Sequence, residues 1–271
     1  MGDDLSKFSA VTTFDLIKHP FGLEMLNSYF VNWPNEIKLT AYIENLSKID
    51  DSNVKHKIIV KDYHAHIPEY KLFVDKYKNK EKYTDDFRLN AFRFAYKVYA
   101  ISKSLKNFKS KYLIWLDSDI KTHKKIPFNF FEKLVNGNAY LSYLGREHIS
   151  NKFIKYSECG FLIFNTNHSI HSTFWELMME MYDGGKLFSE KEWHDSYIFD
   201  QVRKKLEKEY NFKNFNICDL GLEDIEAEND EHVFVTSVLG KYMDHKKGNR
   251  KNVKWSPELI KRVKKDQFRS T

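Results

Sequence analysis

The sequence predicts an α/β fold: a mixed sheet flanked by helices in one compact domain, closed by a basic helical C-terminal segment. Three observations carry this. Short β-branched or apolar runs alternate with stretches whose apolar residues recur every three or four positions, as strands alternate with helices. The most apolar run, KYLIWL at 111–116, reads as a buried strand. The 271 residues are 42% hydrophobic, enough for a sizeable core, and contain no internal repeat, low-complexity tract or Gly/Ser linker to divide it.

The elements follow in order. Ser9–Phe14 is β-branched and reads as a first strand. Phe21–Trp33 has helical spacing and stops before Pro34. Glu36–Glu44 alternates as a second strand, and Lys57–Lys61 is a short third. Ile67–Tyr77 is predicted helical, as is Phe87–Leu105, where Ala91, Phe94, Val98, Ile101 and Leu105 line one face. After KYLIWL come a helix at Phe128–Val135 and strands at Ala139–Leu144 and Glu158–Asn165. Helices are predicted at Ser169–Tyr182 and Ser196–Tyr210, and short strands at Phe215–Cys218 and Val233–Val235. Ser256-Pro257, a capping residue followed by proline in the first turn, opens the last helix. The division is therefore a domain over 1–255 and a basic helical segment over 256–271, with the sheet mostly parallel in the first half.

Composition narrows the function classes. No apolar run reaches the roughly 20 residues that cross a bilayer. The start, MGDDLSKFSA, is acidic and lacks the order of a signal peptide, and Met1-Gly2 stands in a poor context for myristoylation. Cys159 and Cys218 sit in apolar surroundings and read as buried thiols, which suits a reducing cytoplasm. Net charge is +6, and it is uneven: Lys241, Lys246, Lys247, Arg250, Lys251, Lys254, Lys261, Arg262, Lys264 and Lys265 crowd the C-terminal part. Such a cluster is either a solvated face or a surface for something anionic: a diphosphate, a nucleic acid or a membrane to which the protein is peripheral.

The strand KYLIWL runs directly into Asp117-Ser118-Asp119. In open α/β sheets ligands bind beyond the carboxyl ends of strands. Extended geometry points Asp117 and Asp119 to the same side, where two carboxylates repel unless a cation sits between them or one holds a proton. Hard oxygen ligands suit Mn²⁺ or Mg²⁺. Far downstream, His245, Gly248 and Lys251 form an H-x-x-G-x-x-K pattern: an imidazole for a Mn²⁺-like ion, a glycine for close backbone approach, and a point charge for a phosphate oxygen.

An apolar strand ending in D-x-D, with H-x-x-G-x-x-K far downstream, resembles the metal-dependent glycosyltransferases of the GT-A fold. It is closest to the glycosyltransferase family 8 pattern, the glycogenin-like and LgtC-like group. The resemblance implies a GT-A, Rossmann-like fold and transfer of a sugar from a nucleoside diphosphate, UDP in particular, to an acceptor hydroxyl. It implies Asp117, Asp119 and His245 as metal ligands, and Gly248 and Lys251 at the diphosphate. The continuation Asn252-Val253-Lys254-Trp255 departs from the Pro-Trp usual after the lysine. The resemblance also implies donor contacts from Thr12, Thr13 and Asp15 at the end of the first strand, from Ser118, and from Arg93 or Lys97, which share a helix face four residues apart. Thr12, Thr13 and Asp15 read equally as a strand-ending turn, and Arg93 and Lys97 as a surface pair. Asp195 and Glu158 are candidates for assisting the reaction at the sugar or acceptor, as a base if the route inverts; family 8 implies retention. Asp195 reads equally as a helix cap. The acceptor is a glycan, a lipid-linked glycan or a modified base in nucleic acid.

Two other readings compete. Haloacid-dehalogenase-type phosphatases also end a strand in D-x-D, but here Lys121 takes the expected Thr/Val position and Thr122 comes one place late. A non-enzymatic nucleic-acid-binding module would use the basic tail, although no zinc-finger spacing or RNP-like aromatic motif accompanies it.

Overall fold

The structure, a computed structural model, describes residues 6–46, 56–80, 86–146, 156–224 and 232–269. In chain order the elements are β1 (Phe8–Asp15), α1 (Phe21–Asn32), β2 (Lys38–Glu44), β3 (Ile58–Asp62), α2 (Tyr63–His66), α3 (Pro68–Tyr77), α4 (Ala91–Asn107), β4 (Tyr112–Leu116) and β5 (Ile120–Thr122). They continue with α5 (Phe128–Lys133), β6 (Leu141–Leu144), β7 (Glu158–Asn165), α6 (His171–Tyr182), α7 (Asp195–Glu209), β8 (Phe215–Asn216), α8 (Val233–Thr236), β9 (Met243–His245) and α9 (Pro257–Arg269).

Among the described residues one seven-stranded sheet runs in the order β3-β2-β1-β4-β7-β6-β8. The strands β3, β2, β1 and β4 are mutually parallel. β7 lies antiparallel to both β4 and β6, and β8 pairs parallel with β6. This is the mixed α/β sheet expected from the sequence. Because β7 runs backwards, its first residues, Glu158 to Gly160, stand at the same sheet end as the last residues of β1 and β4.

The core has two layers, one on each face. Phe8, Ala10, Phe14, Ile114 and Leu116 pack with Met25, Leu26 and Tyr29 of α1 and Phe131 of α5. Val11, Leu113 and Trp115 pack with Ala95, Val98 and Ile101 of α4 and with α6 and α7. All five residues of β4 are buried, because helices cover both its faces. That explains its unbroken apolar run. It also sets where the next residue points: Asp117 continues the Leu113–Trp115 side, toward α4.

Several predicted elements differ. Val233–Val235, expected as a strand, is the short helix α8, all of whose side chains are buried. A short apolar run does not distinguish strand from helix, and here the N–H groups of Val235 and Thr236 both turn back to His232 O. The helix expected over Phe87–Leu105 is broken: a 3₁₀ turn at Phe87–Leu89 precedes α4, because the Asn90 side chain accepts from Arg93 N at 3.0 Å and caps the new helix. The expected strand at Phe215–Cys218 is two residues long and gives way to a 3₁₀ turn, where the Asn216 side chain accepts from Cys218 N at 3.0 Å. Both cysteines are buried and unbridged. Among the described residues no helix is long and apolar enough to cross a membrane.

Lys57 closes the C-terminal end of α1. Its ammonium donates to Phe30 O at 2.9 Å and to Trp33 O, with 1% of the residue exposed. Burial, with nearby Lys38 adding to it, lowers its pKa from 10.5 to about 8. Between those values the folded chain binds fewer protons than the unfolded one, so this lysine's contribution to stability rises as pH climbs from 8 to 10.5. The gain is roughly 3 kcal/mol. Burial holds Tyr29 protonated while tyrosines of the unfolded chain ionise near pH 10, so the readout is the stability difference between wild type and Lys57→Met across pH 7 to 10.5. That difference is expected to shift in favour of wild type with rising pH; a constant difference would refute the assignment.

Candidate active site

Two segments distant in sequence meet through a small sheet. β5 follows the aspartates and pairs antiparallel with β9, with Ile120 opposite His245. Lys246 N donates to Asp119 O at 2.9 Å, and His123 N to Tyr242 O at 2.8 Å. The segment is tied from behind as well. Asp244 accepts from Ser256 N and Oγ, both at 2.7 Å, at the start of α9. Arg250 bonds Glu258 through two nitrogens, at 3.0 and 2.6 Å. His232 Nε2 lies 2.8 Å from His245 O; burial, with His245 adding to it, holds the His232 imidazole neutral, at about 3.

One ligand atom each from Asp117, Asp119 and His245 lie within 4.8 Å of one another. His245 Nε2 stands 3.0 Å from Asp119 Oδ1 and 3.8 Å from Asp117 Oδ2. Two cations flank the group: Lys251 Nζ at 3.0 Å from Asp119 Oδ2, and Lys97 Nζ at 3.0 Å from Asp117 Oδ1. Trp115 Nε1 also donates to Asp117 Oδ1, at 2.7 Å. The carboxylates are unequal. Burial pushes Asp117 up against the pull of Lys97, with the negative charge of Asp119 adding to the rise. Asp119 is held well below the usual range, because His245 and Lys251 outweigh its burial. Burial would lower His245, but Asp119 and Glu158 raise it above the ordinary histidine value. Lys97 is likewise held charged: Asp117 and Asp195, the latter 2.8 Å away, overcome its burial. Two oxygens and one nitrogen converging beside two ammonium groups fit a hard or borderline divalent cation that also contacts phosphate.

Lys97, Asp117, Asp119 and Lys251 line a cleft of about 540 Å³ at the carboxyl ends of β1 and β4, and His245 lies buried behind the aspartates, outside the lining. Thr13, Asp15, Arg93, Lys97, Asp117, Ser118, Asp119, Asp195 and Lys251, all expected from the sequence, line it. Asp15 accepts from Ile17 N at 2.8 Å and Asn45 Nδ2 at 2.9 Å; against burial, these bonds hold its carboxyl low. Asp195 is the first residue of α7. Gly248 takes the left-handed backbone (φ 59°) at the start of the exposed turn that carries Lys251. Thr12 is fully buried, its hydroxyl without a partner, and lies outside the cleft lining. Glu158 is also outside it, 5% exposed behind His245.

Sequence reasoning missed Gly160. A Cβ there would lie 2.5 Å from His245 Cε1 and 2.9 Å from Nδ1, so the imidazole rests directly on this glycine. Its N–H donates to Glu158 Oε1, and its carbonyl accepts from Asp117 N at 2.9 Å. A glycine within the apolar run ECGFLIF was the available signal, since glycine inside a strand marks close approach of another group. Glu44, Tyr70 and Tyr96, which line the far end of the cleft, carry no sequence signal.

No protein-family model and no curated protein matches the sequence. Solved structures do. Mouse xyloside xylosyltransferase 1, in its apo form, aligns at 13% identity over 78% of this chain and 85% of its own, with a TM-score of 0.51. GlyE, a glycosyltransferase of Streptococcus pneumoniae, aligns at 13% identity over 75% of this chain with a TM-score of 0.45; the chain spans 43% of GlyE. An active-site mutant of LgtC aligns at 12% identity over 72% of this chain and 69% of its own, with a TM-score of 0.44. The xylosyltransferase match establishes a shared fold: a mixed sheet flanked by helices in the GT-A arrangement.

Proposed function

We propose that this chain is a metal-dependent glycosyltransferase that moves a sugar from a nucleoside diphosphate, UDP by the motif resemblance, to an acceptor hydroxyl with retention of configuration. The observation that carries the reading is the Asp117–Asp119–His245 group, flanked by Lys97 and Lys251, whose two aspartates line a cleft beyond β1 and β4.

The difficult event is parting a diphosphate from an oxocarbenium-like carbon. When bound, a divalent ion such as Mn²⁺ neutralises charge developing on that leaving group. Lys251, beside Asp119, adds a second positive charge there, and the Gly248 turn brings backbone close to the phosphates. Thr13, Asp15 and Ser118 take the nucleoside side, and Arg93 reaches the donor from the rim. Asp195 faces the sugar hydroxyls, fixed in place by Lys97. Glu158 is no base for an acceptor, since it is buried outside the cleft and paired with Arg146 at 2.9 Å. Retention follows if the acceptor hydroxyl attacks the anomeric carbon from the side the diphosphate leaves and gives its proton to a departing phosphate oxygen.

The direct test is a thermal-shift series of nucleoside diphosphates and nucleotide sugars with and without Mn²⁺. UDP is expected to stabilise the protein only when metal is present. A ligand at 100 times its Kd contributes about 2.7 kcal/mol, which for a chain of this size raises Tm by roughly 5 °C. No metal-linked response to any nucleoside diphosphate would overturn the proposal.

A further inference from the structure

Glu158 is an unusual group to bury. Its two oxygens are used differently. Oε2 takes Arg146 Nη2 at 2.9 Å and Lys247 Nζ at 3.1 Å. Oε1 accepts from Gly160 N at 3.2 Å and is turned toward His245 Nδ1, 3.6 Å away. That Nδ1 is a buried polar atom without a hydrogen bond, whereas Nε2 of the same ring faces both Asp119 and Asp117. The ring has little freedom to turn, because its Cε1–Nδ1 edge rests on Gly160, where even a Cβ would collide.

We infer that Glu158 is the positioning residue of the cation site: as the acceptor poised 3.6 Å from Nδ1 of His245, it draws the proton to that nitrogen and so presents Nε2, with its lone pair, to the ion shared with Asp117 and Asp119. The inference rests on the metal-dependent reading above. A neutral imidazole carries one N–H and one lone pair, so a group that accepts at Nδ1 selects the tautomer that ligates through Nε2. A carboxylate in that place also makes the imidazole a stronger donor to metal. Arg146 and Lys247, both on Oε2, keep Glu158 ionised and leave Oε1 for the histidine. Glu158 thereby acts on the ion through His245 and touches neither donor nor acceptor.

The test is titration of the metal-free protein with Mn²⁺ and, separately, Mg²⁺, comparing wild type, Glu158→Ala and Glu158→Gln, with circular dichroism to verify folding. Loss of such an outer partner typically weakens metal binding by about 10–100-fold. Glu158→Ala is expected to raise the Mn²⁺ Kd by that factor while changing Mg²⁺ much less, since imidazole favours Mn²⁺ over Mg²⁺. The Mn²⁺/Mg²⁺ preference should therefore fall, which a merely structural role would not produce. Glu158→Gln keeps an accepting oxygen and is expected to lie between; if the alanine variant does not fold, this variant decides. A wild-type Mn²⁺/Mg²⁺ preference in the folded variants would overturn the inference and leave the metal site standing. No Mn²⁺ binding by wild type, with or without UDP, would overturn the metal-dependent reading itself.

Discussion

Asp119→Asn is expected to lower the transfer rate by about 10²–10³, the usual cost of removing one stabiliser of developing charge. It is also expected to abolish the metal-linked stabilisation by UDP. Asp119 commits both oxygens to cationic partners, one 3.0 Å from His245 Nε2 and the other 3.0 Å from Lys251 Nζ. Asparagine keeps the volume and one carbonyl oxygen but brings no charge to either partner. The fold should survive. Breaking a fully buried pair costs about 3–5 kcal/mol, but the Lys251 side chain is 28% exposed and can turn to water, which discounts that figure. The measurements are the rate of sugar transfer, the UDP shift with and without Mn²⁺, and the far-ultraviolet spectrum. A variant that keeps its Mn²⁺-dependent shift would place the cation elsewhere and remove the basis for the proposed reaction.

The second large effect is steric. Gly160→Ala adds one methyl on a central strand, at a backbone geometry that alanine accepts. That methyl would lie 2.5 Å from His245 Cε1, so the imidazole must move by roughly 1 Å to regain ordinary carbon–carbon contact. The ring is pinned by β5–β9 pairing and cannot yield freely, so overpacking should cost about 1–3 kcal/mol. Mn²⁺ affinity should fall at least about tenfold, because Nε2 leaves its place between the aspartates. The check is a double-mutant cycle in Tm: on a His245→Ala background, Gly160→Ala should cost nothing, so the coupling should equal the whole cost, about 1–3 kcal/mol. Equal destabilisation on both backgrounds would show that something other than the imidazole occupies the space.

The strand leading to the aspartates was readable because burial on two faces leaves an unbroken apolar run, and strands ending in acids place them where ligands bind. The convergence of Asp117, Asp119 and His245 was foreseeable because these residue types at that spacing have few other reasons to meet. What brings the group together was not. β5 and β9 are three residues each, too short to show alternation, and their pairing is a long-range fact. α8 read as a strand because an apolar run buried on all sides has no period. Gly160 is an ordinary residue in an apolar stretch, and Glu158 reads as a candidate at the sugar or acceptor, until His245 is seen resting on one and facing the other. Thr12 and Thr13 are adjacent in sequence, but only Thr13 opens to the cleft, because neighbouring side chains on a strand face opposite ways.

The seven strands of the large sheet are all contributed by residues up to 216, whereas His245 reaches the aspartates only when β9 pairs with β5. A ribosome releases the chain from its N-terminus, so Asp117 and Asp119 emerge well before the imidazole that completes their set. A translation product halted before Met243 would carry every strand of that sheet and still lack the imidazole. Assembly of the scaffold and assembly of the candidate ion site are thus separate events, and the second waits for β9.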